Sequence, residues 1–188
     1  SFLVFSLIQL APYDVIDSVT TPNMSQQQID LLRERYGLNE PFLVQYFVWL
    51  KNIFQGDLGY SLVSQKSIAQ ELAVRIPNTI RLVLPAYLTA LFLAIVLGIV
   101  AAANKGKWAD RLIDGVASLG IAIPTFWFAM ILIYFFGYRL NWFSIIGMHT
   151  VGKEGQFGDY LNHFVLPYAT LTVAFFPELT RYIRASAT

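Results

Sequence analysis

Two stretches of this chain, Leu82–Ala103 and Val116–Tyr138, run for about 22 residues each without a charged side chain. A helix of that length reaches roughly 33 Å, enough to cross the ~30 Å hydrocarbon core of a bilayer. The joint between them, Asn104–Gly115, carries Lys105, Lys107 and Arg111. Two apolar spans around a small basic turn predict a helical hairpin in a membrane, with the turn on the cytoplasmic side. A soluble protein can bury an apolar helix on every side, but 188 residues are too few to wrap two of them. Charged residues make up 13% of the chain and mean hydropathy is +0.53; ordinary soluble domains carry about twice that charge density. The composition therefore predicts a multi-spanning membrane protein.

Other function classes are narrowed by what is missing. A net charge of +1 offers no basic surface for nucleic acid and none for an acidic partner. The absence of cysteine excludes disulfides, thiolate metal sites and cysteine nucleophiles. Aromatic residues reach 15%, and Trp108, Tyr138 and Trp142 stand where a headgroup belt would lie.

The opening residues, 1–11, are apolar but too short to cross, and they lack both an initiating methionine and the basic start of a signal peptide. They read as the outer end of a first span. Residues 12–76 form a polar excursion with seven acidic and five basic side chains, without the Lys/Arg excess of a cytoplasmic loop. This region is expected outside the membrane on the extracytoplasmic face. Its helix punctuation is plain. Ser25 and Gln28 have capping-box spacing, with Gly37 as the stop. Pro41 suits the first turn of a second helix with an apolar face of Phe42, Tyr46, Trp49, Leu50 and Ile53, closed by Gly56. A third short helix over 67–76, with Ile68, Leu72 and Ile76 in register, reads as a surface elbow.

The main membrane segments are expected at about 80–103, 116–138 and 160–183, within a domain covering 77–188. Arg81 lies one turn into the first of these, where its side chain can snorkel to the interface. Pro124 interrupts the second span beside Ser118, Gly120 and Thr125 and should bend it. The third contains Pro167, Pro177 and Glu178, with Arg181 and Arg184 at its inner end. Gly98, Ala101, Ala102, Ala117, Gly120 and Ala122 would let the hairpin close tightly near its turn.

Catalytic signatures are absent. No Gly-rich phosphate loop ending in Gly-Lys-Ser/Thr is present and no Gly-x-Ser-x-Gly nucleophile turn occurs. His149 and His163 are separated and lack carboxylates at metal-ligand spacing, so no metal site is expected. The candidates for a pathway or gate are Pro124, Thr125, Glu178 and Arg181. An acid inside a span is a functional candidate by default, although Arg181 three residues on can pair with Glu178 locally.

The order of short strings along the chain resembles the membrane permease subunits of bacterial ABC importers for dipeptides, oligopeptides and nickel. These strings are Leu10-Ala11-Pro12, Tyr36-Gly37-Leu38-Asn39-Glu40-Pro41, Gln45-Tyr46 with Trp49-Leu50, and Gly56-Asp57-Leu58-Gly59-Tyr60-Ser61. Further on come Arg75-Ile76-Pro77-Asn78-Thr79, Ile123-Pro124-Thr125-Phe126-Trp127 and Leu166-Pro167. The resemblance implies an all-α membrane protein with the MetI-like transmembrane bundle of type I importers, here truncated. It implies a second homologous permease, two cytoplasmic ATPase subunits, and an extracytoplasmic solute-binding protein that delivers cargo. The chain itself would hold no cofactor, since ATP would be used by the partner subunits. Its place would be the cytoplasmic membrane of a bacterium or archaeon. In that family a coupling helix and two more spans follow the segment 181–188, so the chain reads as an internal fragment, not expected to couple ATP hydrolysis to transport alone. The alternatives are a passive channel, for which only scattered Thr89, Ser118, Thr125, Thr170 and Thr172 are available, and a structural membrane protein without transport.

Overall fold

The computed structural model describes residues 1–10, 24–35, 37–61, 64 and 66–187. Ala11, the last residue of the expected first-span end, and the start of the excursion, to residue 23, lie outside the described residues. The chain divides into two compact units, Ser1–Ile76 and Pro77–Thr188.

The first unit holds three short helices and a small hairpin. Helix α1 is Phe2–Gln9, α2 is Gln26–Arg35 and α3 is Phe42–Phe54. The capping box before α2 is closed in both directions: the Ser25 N–H donates to Gln28 Oε1 at 2.9 Å and the Gln28 N–H to Ser25 Oγ at 3.4 Å. Gly37 stops α2 at φ +65°, a left-handed position that costs glycine little. Pro41 stands just before α3 with extended backbone, one residue earlier than the first-turn position expected for it. The apolar face of α3 meets α1 through rings: Phe2 lies 5.1 Å from Tyr46, and Phe5 lies 5.5 Å from Phe42 and 5.6 Å from Trp49. Strands β1, Tyr60–Ser61, and β2, Lys66–Ser67, pair antiparallel with Tyr60 opposite Ser67.

Helix α4 is continuous from Ile68 to Ala103, through Pro77 and Pro85. The separate elbow helix expected over 67–76 is therefore corrected: Ser67 belongs to β2 and the helix begins at Ile68. A proline removes one N–H from the ladder but need not end a helix whose other bonds persist. Among the described residues, α4 is the one helix long and apolar enough to cross a membrane by itself.

In the second unit, α4 is followed by a turn over 104–107 and by α5, Trp108–Ala122. Helix α6, Thr125–Leu132, comes next and runs into a π-helical segment, Ile133–Arg139. A loop over 140–156 leads to α7, Phe157–Ser186. This helix holds the third span expected at 160–183, but its charged and polar side chains leave it not apolar enough to count as a crossing by itself, which corrects that expectation. The pair α5 and α6–π is long and apolar enough to span only if taken together, and it is bent by 94° at its break. The single bent span expected over 116–138 is thus two helical arms meeting at nearly a right angle. Ile123 explains the break: the residue before a proline is driven out of helical backbone, and Ile123 is extended at φ −84°, ψ 120°.

Helix α7 is the organising element of this unit. It runs antiparallel to α5 and parallel to α4, with the Tyr168 hydroxyl donating to Thr89 Oγ1 at 2.7 Å and Tyr87 edge-on to Phe175 at 5.6 Å. Most of the buried apolar residues are small: Ala86, Ala90, Ala94, Gly98 and Ala101 form one buried stripe on α4 at helical spacing. A Cβ on Gly98 would fall 2.8 Å from Ile183, and one on Gly120 would strike the Pro177 ring. These glycines therefore close α4 and α5 onto α7, rather than onto each other as the hairpin expectation had it. Large apolar side chains such as Leu88, Phe92, Ile99, Leu119 and Phe126 face outward. Trp108 is exposed at one end of the unit, Tyr138 and Trp142 at the other.

Candidate functional site

Three places along α7 gather the chemistry of the second unit. At the end that carries Lys105, α5 presents Asp110, Asp114 and Ser118 at four-residue spacing, hence on one face. Opposite stand Arg181 and Arg184 of α7. Arg184 forks onto Asp110, with Nε 2.6 Å from Oδ1 and Nη2 donating to Oδ2 at 2.9 Å. Its Nη1 also reaches Asp114 Oδ1 at 3.4 Å. Arg181 donates from Nη2 to Ser118 Oγ at 2.7 Å and lies 4.0 Å from Asp114. The Ser118 hydroxyl in turn donates to the Asp114 carbonyl. Asp110 is 3% exposed and also accepts the Gly106 N–H at 2.9 Å, so the same carboxylate fixes the preceding turn. A planar guanidinium on a carboxylate is directional as well as attractive. The cluster sets the relative rotation and depth of α5 and α7.

This arrangement corrects the local pairing expected between Glu178 and Arg181. Arg181 shares its face with buried Pro177 and Thr180 and turns toward α5, where a carboxylate and a hydroxyl meet it. Glu178 is about 100° around the helix from Pro177. It is exposed and makes no hydrogen bond or ion pair among the described residues.

The second place is the break. Pro124 is the residue before α6, at φ −61° and ψ 130°, and Thr125 opens that helix. Thr125 lines a cavity of about 200 Å³ together with Gly120, Phe128 and Thr170. The carbonyl of Pro124 accepts the N–H groups of Trp127 and Phe128, at 3.0 and 3.1 Å, so the arm beyond the break starts with regular hydrogen bonding. The structure brings Pro124 and Thr125 together at the break. It leaves Glu178 and Arg181 on different faces of α7.

The third place lies at the opposite end. Asp159, in the first turn of α7, accepts the Thr150 N–H at 2.8 Å and lies 3.7 Å from His163 Nδ1 and 4.0 Å from His149 Nδ1. The two histidines, distant in sequence, thus share one carboxylate, which corrects their expected lack of an acidic neighbour. No group of three or more His, Asp or Glu capable of holding a metal ion occurs among the described residues. Hydrogen bonds from Thr150, first its side chain and then its backbone, hold the Asp159 carboxyl below the usual carboxylate range. Asn162 reinforces the same join, accepting the Ser144 N–H at 2.6 Å and donating to the Trp142 carbonyl at 3.2 Å. The loop over 140–156 is therefore strapped to α7. Beneath the strap a cavity of about 370 Å³ opens between α4, the loop and α7, lined by Asn78, Arg81, His149, Tyr160 and His163 among others.

Asp110, Asp114 and Asp159 escaped sequence reasoning, although their signal was available. Two carboxylates four apart near the start of α5, and two arginines three apart near the end of α7, pair only once the helices are known to be neighbours.

Comparison with known proteins then bears on what this arrangement serves. Residues 94–188 match the family model described as binding-protein-dependent transport system inner membrane component, and residues 1–83 match that of its membrane-component N-terminal region. The chain is 36% identical over 187 residues to the oligopeptide transport system permease protein AppB of Bacillus subtilis, a match covering 99% of this chain and 59% of the relative. It is 34% identical to a putative peptide permease of Brucella ovis, again across 99% of this chain and 59% of the relative. Against the glutathione transport system permease protein GsiC of Escherichia coli K12 the identity is 33%, over 99% and 58%. The chain spans somewhat under two thirds of the length of these relatives.

Proposed function

This chain belongs to the family of binding-protein-dependent transport system inner membrane components, and on that premise we propose that it is a permease subunit of an ATP-driven peptide importer. The observation that carries the proposal is the match, over 99% of this chain, to permeases named for oligopeptides, peptides and glutathione. Glutathione is itself a tripeptide, so the three names share one cargo chemistry. Peptides are accordingly preferred over nickel.

In this proposal the second unit contributes half of a pathway completed by a homologous permease. The large apolar side chains exposed on α4, α5 and α6 suit lipid and that second subunit. The Lys105 end faces the cytoplasm, in keeping with the basic residues there. Two separate ATPase subunits act from that side, and an extracytoplasmic binding protein delivers cargo at the other. The chain carries no phosphate-binding loop, so ATP would bind to the partners and not to it.

Arg181 and Arg184, clasped to α5, would transmit a displacement of the cytoplasmic end of α7 directly into the broken span. Pro124 would serve as the hinge, since the interruption at Ile123 leaves the two arms without a continuous hydrogen-bond ladder. Thr125 lines the hinge cavity, and exposed Glu178 faces whatever packs beside α7 in the assembled transporter. The test is growth of a strain lacking the gene on dipeptides and tripeptides as the sole source of a required amino acid. Loss of growth, restored by the wild-type gene, supports the proposal; undiminished growth with no other peptide uptake system present overturns it.

A further inference from the structure

The cavity at the loop end of the second unit has a lining that selects for charge. It is walled by three elements: the start of the apolar part of α4, the strapped loop, and the first turns of α7. At about 370 Å³ it is within the size range of small-molecule sites, about 300–1,000 Å³. Arg81 is its one permanently charged lining residue, and neither Asp nor Glu lines it. Among the described residues Arg81 makes no hydrogen bond or ion pair and is exposed. Arg81 stands where the apolar part of α4 begins, and a guanidinium in a membrane helix faces the interface, a partner or a water-filled path. Around it are the Asn78 amide and the Tyr160 hydroxyl, both able to donate. His163 Nδ1 donates to the Asp159 carbonyl at 2.8 Å, which fixes that ring in place. The loop wall is held by the Thr150–Asp159 and Ser144–Asn162 bonds, so the cavity is shaped before any ligand arrives.

We propose that this cavity is a carboxylate seat, in which Arg81 receives the C-terminal carboxylate of a short peptide as it enters the membrane domain. The inference rests on the peptide-import proposal and adds to it a named residue and a chemical group. An arginine fork matches a carboxylate in two parallel hydrogen bonds, and a neutral amide cannot replace that charge-assisted pair. An acidic side chain of the binding protein is the competing occupant. The concave, walled shape favours the end of a small ligand over a protein surface, which would need a broader contact.

The test uses the full transporter in proteoliposomes with its binding protein, comparing ATP-driven uptake of trialanine with that of trialanine amide. Wild type should import the free acid faster. Arg81→Gln should narrow the acid-to-amide ratio about tenfold or more, the scale of one charge-assisted hydrogen bond. Arg81→Lys, which keeps the charge without the fork, should fall between, and it guards against a folding defect in the first variant. An unchanged ratio in Arg81→Gln, or equal slowing of both peptides together with weaker docking of the binding protein, overturns the carboxylate seat and leaves the importer proposal standing. Failure of the wild-type complex to import either peptide overturns both.

Discussion

Gly120 and Gly115 lie on the same helix, and the same substitution should have opposite effects at the two. A Cβ at Gly115 meets nothing within 4 Å, whereas a Cβ at Gly120 collides with the Pro177 ring on α7. Pro177 is buried and its ring is not the end of a flexible chain, so the collision is relieved only by moving α7 away from α5. Restoring an ordinary carbon–carbon separation of about 3.5–4.0 Å requires a displacement of roughly 1 Å or more. Overpacking of this kind costs about 1–3 kcal/mol. Both Gly→Ala changes share the same gain from a stiffer unfolded chain, about 0.4–1 kcal/mol, and it cancels in the comparison. The difference between Gly120→Ala and Gly115→Ala is then about 1–3 kcal/mol. For a chain of this size that is a gap of roughly 2–12 °C in melting temperature. Thermal unfolding of the two variants in the same detergent or nanodisc reads it directly. Equal melting temperatures, or a higher one for Gly120→Ala, would refute the close packing of α5 on α7.

Four further outcomes are expected. Asp110→Ala and Arg184→Ala should each lower the melting temperature, and the double variant should lose less than the sum, because the two residues share one interaction; strict additivity would deny the clasp. Glu178→Gln should leave stability unchanged within about 0.5 kcal/mol, as for an exposed group with no partner among the described residues; a marked loss would restore the local pair with Arg181. Cysteines introduced singly at Lys105 and Val151 into this cysteine-free chain should react with impermeant maleimides from opposite sides of the membrane, Lys105 from the cytoplasm; labelling from one common side would invert or abolish the hairpin. Asp159 has a carboxyl depressed below its unfolded value of 3.8, so its stabilisation of the loop is complete above that value and lost as pH falls through the lower folded one. Trp142 fluorescence should therefore change as pH falls below about 4, and Asp159→Asn should lose that change.

Much of the helix punctuation was legible in the residues. Ser25 and Gln28 announced the start of α2, Gly37 and Gly56 marked stops, and the ring-bearing face of α3 was visible from its spacing. These are local signals, set by residues within one or two turns of each other. The charge pattern of α4 and of 116–138 likewise identified the apolar material. Prolines were harder to read. Pro77, Pro85, Pro167 and Pro177 stay inside continuous helices, while Pro124 ends one, and all five share the same missing N–H. What differs is whether the preceding residue is held in helical backbone by the helices around it, which one sequence does not state. The partners of Arg181, Arg184 and Asp159 were hidden for the same reason. A helical side chain has a near neighbour three or four residues on, and sequence alone favoured Glu178 for Arg181; only the packing of α5 on α7 supplied Asp114 and Ser118 in its place. The cavity beside Arg81 needed three elements together, so no single segment announced it.

The most direct measurement is peptide uptake by proteoliposomes assembled with and without this permease. With the proposed partners (a second permease, two ATPase subunits and a binding protein) and ATP present, a labelled tripeptide should accumulate inside only when this chain is included. Removing ATP or the binding protein should abolish the accumulation. Uptake that proceeds equally without this chain, or a downhill leak through it that needs neither ATP nor binding protein, would contradict its role as an importer permease.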